Sequence, residues 1–198
     1  FLASLDYTAQ LFGSNDTRFS MVFIRKSGEP YSVSFDEPGY NSVTGNSRFY
    51  ADYALAYVPT GASDPNVSFT SASVADAVMA HVNSTGLRGY KGTYAPRNAF
   101  NSPWYSRLDL RITQDINVFK DHKVIVYLDL LNLLNMIDDD KGIVKEYSYN
   151  NSRQIIVDGV TSDGKFIIKG VDPDDNLWIQ NRDGQSAWNI NLGFKYAF

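Results

Sequence analysis

The residues best suited to chemistry sit in "WYSRLDLRITQDI", residues 104–116, where Arg107, Asp109, Arg111 and Asp115 fall on alternate positions. Spacing of two puts them on one side of an extended strand, with Trp104, Leu108, Leu110, Ile112 and Ile116 on the other. Opposite charges two residues apart can pair with one another or meet a polar solute. Of these, mutual pairing is the expected role. Asp129, inside "VYLDLLNLL", belongs with them, because a carboxylate on the greasy side of that run would be costly. Arg97 and Asn98, just ahead of the 104–116 strand, are expected to brace the preceding segment. Clustered carboxylates in "IDDDKG" (137–142) and "DPDDN" (172–176) have the ligand type that calcium prefers, without the spacing of an EF-hand loop. Solvated acidic loops are the expectation there. His81 and His122 stand apart, there is no cysteine, and no nucleophile elbow or phosphate loop occurs. The sequence therefore predicts neither an enzyme nor a cofactor or metal protein.

The elements carrying these groups alternate with unusual regularity. "FLASLDYTAQLF" (1–12), a run over 17–35 with an irregularity at Gly28 and Pro30, 104–116, 123–135 and 186–198 all read as strands. From Trp188 to Phe198 every second residue is apolar. The connections run short, long, short, long. "GSND" and "NVFKDH" are brief, whereas 36–101 and 136–184 are long and rich in Gly, Ser, Asn and Asp. Within the long segments, "SVADAVMAHV" (73–82) has helical spacing, with Val74, Ala77, Val78 and His81 on one face. "RQIIVDGV-TSDG-KFIIKGV" is a hairpin pattern. Residues 136–184 hold ten acidic against six basic residues, so the whole net charge of −4 belongs to that segment. Without a basic stripe, nucleic acid is not an expected partner.

No apolar run approaches the ~20 residues of a spanning helix. Strands that are apolar on one side only, with short turns at one end and long connections at the other, fit an antiparallel transmembrane β-barrel fragment. In that reading 1–198 contributes about five barrel strands, short periplasmic turns and two extracellular loops. Trp104 and Trp188 lie at the outer interface, and Arg107, Asp109, Arg111, Asp115 and Asp129 face the lumen. The missing initiator Met is read as an internal cut in a longer protein.

The last strand, with polar Asn191, Gly193, aromatic Tyr196 and aromatic Phe198, resembles the terminal signal recognised by the barrel-assembly machinery. "TRFSMVFIRKSGEPYSVSF", "YVPTGASDPNVSF", "APRNAFNSPWYSRLDLRITQDI" and "LDLLNLLN" resemble the C-terminal barrel region of TonB-dependent outer-membrane receptors, most closely the Oar-like transporters. The resemblance implies residence in the bacterial outer membrane, lipid as the partner of the apolar faces, and solute transport. It also implies N-terminal barrel strands and a plug domain outside this sequence, with TonB engaged only through that missing part. Such receptors close with about twenty-two strands, so five cannot close alone. Two other readings stay open: a non-transport surface barrel, adhesin-like or structural, and a soluble carbohydrate-binding β-sandwich that buries its apolar strand faces between sheets.

Overall fold

A computed structural model describes residues 1–36, 54–120, 122–147, 151–172, 177–179 and 185–198. Its strands in chain order are β1 (Leu2–Phe12), β2 (Asn15–Lys26), β3 (Pro30–Asp36), β4 (Tyr57–Val58), β5 (Val67–Phe69), β6 (Thr93–Tyr94) and β7 (Phe100–Asn101). There follow β8 (Tyr105–Phe119), β9 (His122–Leu131), β10 (Lys145–Tyr147), β11 (Asn151–Val160), β12 (Phe166–Val171), β13 (Leu177–Ile179) and β14 (Asn189–Ala197). Two helices, α1 (Ala72–Ser84) and α2 (Leu133–Ile137), accompany them. The protein is mainly β, and its chain divides into two compact units.

The first unit comprises Phe1–Gly28, Pro103–Lys145 and Ile179–Phe198. It is an open antiparallel sheet in the order β1-β2-β8-β9-β14. The pairing brings side chains of one kind together across all five strands. Leu5 faces Met21, Met21 faces Leu110, Leu110 faces Leu130 and Leu130 faces Ile190. Tyr7, Phe19, Ile112, Leu128 and Leu192 form the next row. A slip of one residue would turn every one of these to the opposite face, so the pattern itself holds the register. The strands run to 11, 12, 15, 10 and 9 residues. Gly13 (φ 66°) and Lys120 (φ 49°) take the left-handed backbone that tight hairpin turns need.

The second unit comprises Glu29–Ser102 and Glu146–Trp178. Its main sheet has the order β5-β12-β11-β3-β7. Two of its pairings, β3 with β11 and β5 with β12, are parallel and join residues that lie 119–120 and 99 positions apart. α1 starts at Ser71, whose hydroxyl accepts from the Val74 amide at 3.2 Å. The helix buries Ala75, Val78 and Val82. Those valines join Val33, Phe35, Ile155, Val157 and Ile168 in one apolar core. The β11–β12 hairpin turns at Thr161–Lys165, as its composition predicts, with Thr161 N–H donating to Lys165 O at 2.8 Å.

Four expectations need correction. The run 17–35 is not one strand. It breaks after Lys26, and β3 beyond Pro30 belongs to the second unit, since Gly28 and Pro30 interrupt the ladder. The strand expected over 123–135 ends at Leu131. Asn132 takes φ 54° and Leu133–Ile137 coil into α2, so Leu133 never lies on a sheet face. The described parts of the segments expected as loops 36–101 and 136–184 form folded structure, most of it in the second unit with a core of its own. Within α1 the buried stripe is Ala75, Val78 and Val82, and Ala77 is exposed.

Candidate functional site

The sequence-predicted charges come together on one face of the first unit. Arg111 and Asp129 are directly opposed on β8 and β9. They form a two-pronged pair, Nε to Oδ1 at 2.5 Å and an Nη to Oδ2 at 2.7 Å, the planar match that guanidinium and carboxylate favour. Arg107 Nε donates to both oxygens of Asp109 at 2.8 and 3.1 Å. Asp109 Oδ1 also accepts the Asn132 amide at 2.8 Å, fixing the point where β9 gives way to α2. Asp115, 3% exposed, is held by Arg18 at 3.2 Å and Lys123 at 3.0 Å. Sequence spacing identifies the five charges. Arg18 and Lys123, their partners from neighbouring strands, become visible only with the register. Asp109, Asp115 and Asp129 each meet at least one cation, so this face is an ion-paired wall rather than a field of one sign.

Glycine has a specific place in that wall. An ideal Cβ added at Gly193 would collide with the phenol end of Tyr127, at Cζ and Oη, reaching across from the paired position on β9. The same ring carries Arg111 on it, 5.3 Å from the guanidinium carbon to the centroid. Gly193, expected as part of a terminal signal, is therefore also a packing position.

The opposite face is apolar and uncovered within the unit. Leu5, Tyr7, Ile190, Leu192, Phe194 and Tyr196 are exposed, Leu192 and Phe194 by 74% and 77%. Leu110 and Ile112, on the middle strand, are only half-buried. Among the described residues the apolar core lies in the second unit, and Val144 is the one fully buried apolar side chain of the first. Trp104 and Trp188, exposed by 66% and 50%, immediately precede β8 and β14. These strands run the same way because each is antiparallel to β9, so both indoles sit at one end of the sheet. At the other end His122 Nδ1 meets the Tyr196 hydroxyl at 2.5 Å, with Phe119 and Phe198 beside them.

No family model, curated protein or solved structure matches the chain.

Above the ion pairs, a cleft of about 350 Å³ is lined by Ile24, Lys26, Tyr105, Arg107, Asp109, Val144 and Gln185. Cation, carboxylate, phenol and amide surround one space there, which suits a polar solute of mixed hydrogen-bonding character. The acidic stretch beside it serves the loop. Asp138 receives Lys141 at 2.9 Å and the Asp140 amide at 3.1 Å, and both draw its pKa below the usual carboxylate value. Asp138, Asp139 and Asp140 bring one carboxylate oxygen each within 4.8 Å of the others, on an exposed surface. Of the second acidic stretch, residues 173–176 lie outside the described residues. Asn98 does brace its segment: its amide donates to Ser32 Oγ at 2.9 Å.

Proposed function

We propose that the chain is the C-terminal barrel segment of a TonB-dependent receptor of the Oar-like group, moving a solute across the bacterial outer membrane. The observation that carries the reading is a five-stranded antiparallel sheet with one ion-paired face and one continuous, uncovered apolar face. Left in water, such a face forgoes about 1.5–3 kcal/mol for each large side chain, which in sum rivals the stability of an ordinary domain. Lipid removes that penalty, and strands of 9–15 residues are long enough to cross a tilted apolar band. The indoles at one end and the Tyr196–Phe198 group at the other suit its two interfaces.

In this reading lipid covers Leu110, Ile112, Leu192 and Phe194. The Arg107, Asp109, Arg111, Asp115 and Asp129 wall lines the lumen. The unpaired edges of β1 and β14 join strands outside this sequence, which also supply the plug and its link to TonB. Solute meets the cleft at Lys26, Arg107 and Gln185 before the plug moves.

These 198 residues contain no cysteine, so single cysteines introduced here and bearing a fluorophore can be read one by one in membranes containing the full-length protein, with any cysteine elsewhere in it replaced. Labels at 110, 112, 192 and 194 should be quenched by lipid-borne quenchers, and labels at 109, 111, 191 and 195 by aqueous ones. The absence of that alternation would overturn the membrane reading. Loss of solute uptake on deleting the gene, with uptake also stopped by collapsing the proton gradient, separates transport from a purely adhesive surface barrel. Unchanged uptake would favour the latter, which the folded second unit would serve as a presented module.

A further inference from the structure

The second unit holds a small cavity that the transport reading does not use. It occupies about 140 Å³ and is bounded by Tyr31, Phe100 and Tyr147, with His81, Thr85 and Gln154 among its remaining walls. The three rings form a continuous aromatic surface. Tyr31 lies 4.0 Å from Tyr147 and 5.6 Å from Phe100, centroid to centroid. Gly86 makes room for this surface, since a Cβ there would come within 2.9 Å of the Phe100 ring.

The polar side is equally ordered. Gln154 is 6% exposed, and its amide nitrogen donates to Ser152 Oγ at 2.7 Å. Its carbonyl oxygen faces His81 Nε2 at 3.0 Å. A carbonyl can only accept, so Nε2 carries a proton, and in the neutral ring Nδ1 is left as an acceptor. Burial, and after it the neighbouring Tyr147, push the Tyr31 phenol's pKa up, and Thr85 Oγ1 donates to His81 O at 2.9 Å. Among the described lining residues there is no carboxylate, ammonium or guanidinium.

We propose that this cavity binds one neutral pyranose ring, as the end residue of a glycan or as a free monosaccharide. Its volume, close to that of a cavity of ~150 Å³ that accommodates benzene, receives one face of a single six-membered ring and leaves the ring's remaining substituents outside. Chemistry selects among such rings. An aromatic guest would be served by the ring surface but would make no use of the acceptor left on His81 Nδ1 or of the tyrosine hydroxyls. A pyranose presents an apolar face of C–H groups to the aromatics and a rim of hydroxyls to the polar wall. The absence of charge in the lining disfavours acidic sugars and phosphates. This inference stands on the second unit alone and holds whether or not the first unit transports anything.

The test is saturation-transfer NMR on the full-length protein in detergent micelles, titrating methyl pyranosides of gluco, galacto and manno configuration, with phenol as the aromatic control. At least one glycoside should bind saturably, with its ring C–H protons receiving the strongest transfer. Tyr147→Ala should weaken it about tenfold or more. Thr85→Val and Tyr31→Phe, which keep volume and packing, should each weaken it by about three- to tenfold while circular dichroism stays unchanged. These two milder variants decide the matter if Tyr147→Ala fails to fold. Absence of saturable binding by every glycoside would overturn the proposal. So would tighter binding of phenol at the same residues, or glycoside binding that all three variants leave intact.

Discussion

Replacing Gly193 by alanine isolates the contact on which the last strand's seating depends. Gly193 does not occupy the left-handed region, so alanine meets no backbone strain there and would by itself slightly favour an extended strand. Its whole cost must come from the Tyr127 ring, which occupies the place of the new methyl group. Overpacking of this kind costs about 1–3 kcal/mol, and displacing the ring also gives up its cation–π contact with Arg111, about 0.5–1 kcal/mol at an accessible site. Gly193→Ala should therefore destabilise by about 1.5–4 kcal/mol. In a Tyr127→Ala background it should cost less than about 0.5 kcal/mol, because the space is then vacant. The assay is a double-mutant cycle on the full-length protein, by urea unfolding in lipid vesicles. Equal costs with and without the Tyr127 ring would refute the packing argument. The same four proteins separate packing from recognition by the assembly machinery. If Gly193 is read during insertion, Gly193→Ala will impair insertion in cells even in the Tyr127→Ala background, where it barely changes stability.

The Arg111–Asp129 pair should show the asymmetry of a partly buried ion pair. Arg111→Ala alone should cost about 1–2 kcal/mol, because Asp129, 8% exposed, is left uncompensated, and adding Asp129→Asn should recover about half of it, read from urea midpoints. In the second unit, Asp64 accepts from Thr60 N at 2.7 Å, Thr60 Oγ1 at 2.8 Å, Asn66 N at 2.9 Å and Tyr57 Oη at 3.1 Å. Burial pushes its pKa up, but these donors outweigh burial and hold it below the ordinary 3.8. The stability Asp64 adds is thus fully present above 3.8 and is lost as pH falls through the lower folded value. Asp64→Asn should cost about 2 kcal/mol at pH 7 and steadily less below pH 3.8, and a penalty that ignores pH in thermal unfolding would count against the arrangement. Val78→Ala, at a fully buried position of α1, should cost about 2 kcal/mol. Limited proteolysis should then open 151–171 together with 72–84, whereas cleavage confined to the helix would mean the two chain segments do not fold as one.

What the sequence discloses and what it conceals divide along the two units for a physical reason. A sheet with one apolar and one charged face has a period of two that survives in the residue order. The five strands, the side on which Arg107, Asp109, Arg111, Asp115 and Asp129 lie, and the ends marked by Trp104 and Trp188 were therefore legible. The partners Arg18 and Lys123, and the ring over Gly193, depend on which strand lies beside which, and residue order within one strand is silent on that. The helix end at Asn132 was hidden by composition, because "LDLLNLLN" suits either structure until its αL residue is seen.

The second unit erases the period altogether. Ser32, Val33, Ser34 and Phe35 are buried in succession, since β3 is covered on both faces and pairs in parallel with β11. Parallel strands buried on both sides carry no alternation to read. Their partners also come from the other insertion, so neither segment alone contains the pattern of the sheet it helps to build. β3 and β7 come from the first insertion and flank one side of the β11–β12 hairpin from the second, while β5 from the first flanks the other side. An apolar core assembled from both insertions means that each supplies the covering surface the other lacks. The long segments are thus bound to fold jointly, and a change in the core of one should be felt in the backbone protection of the other.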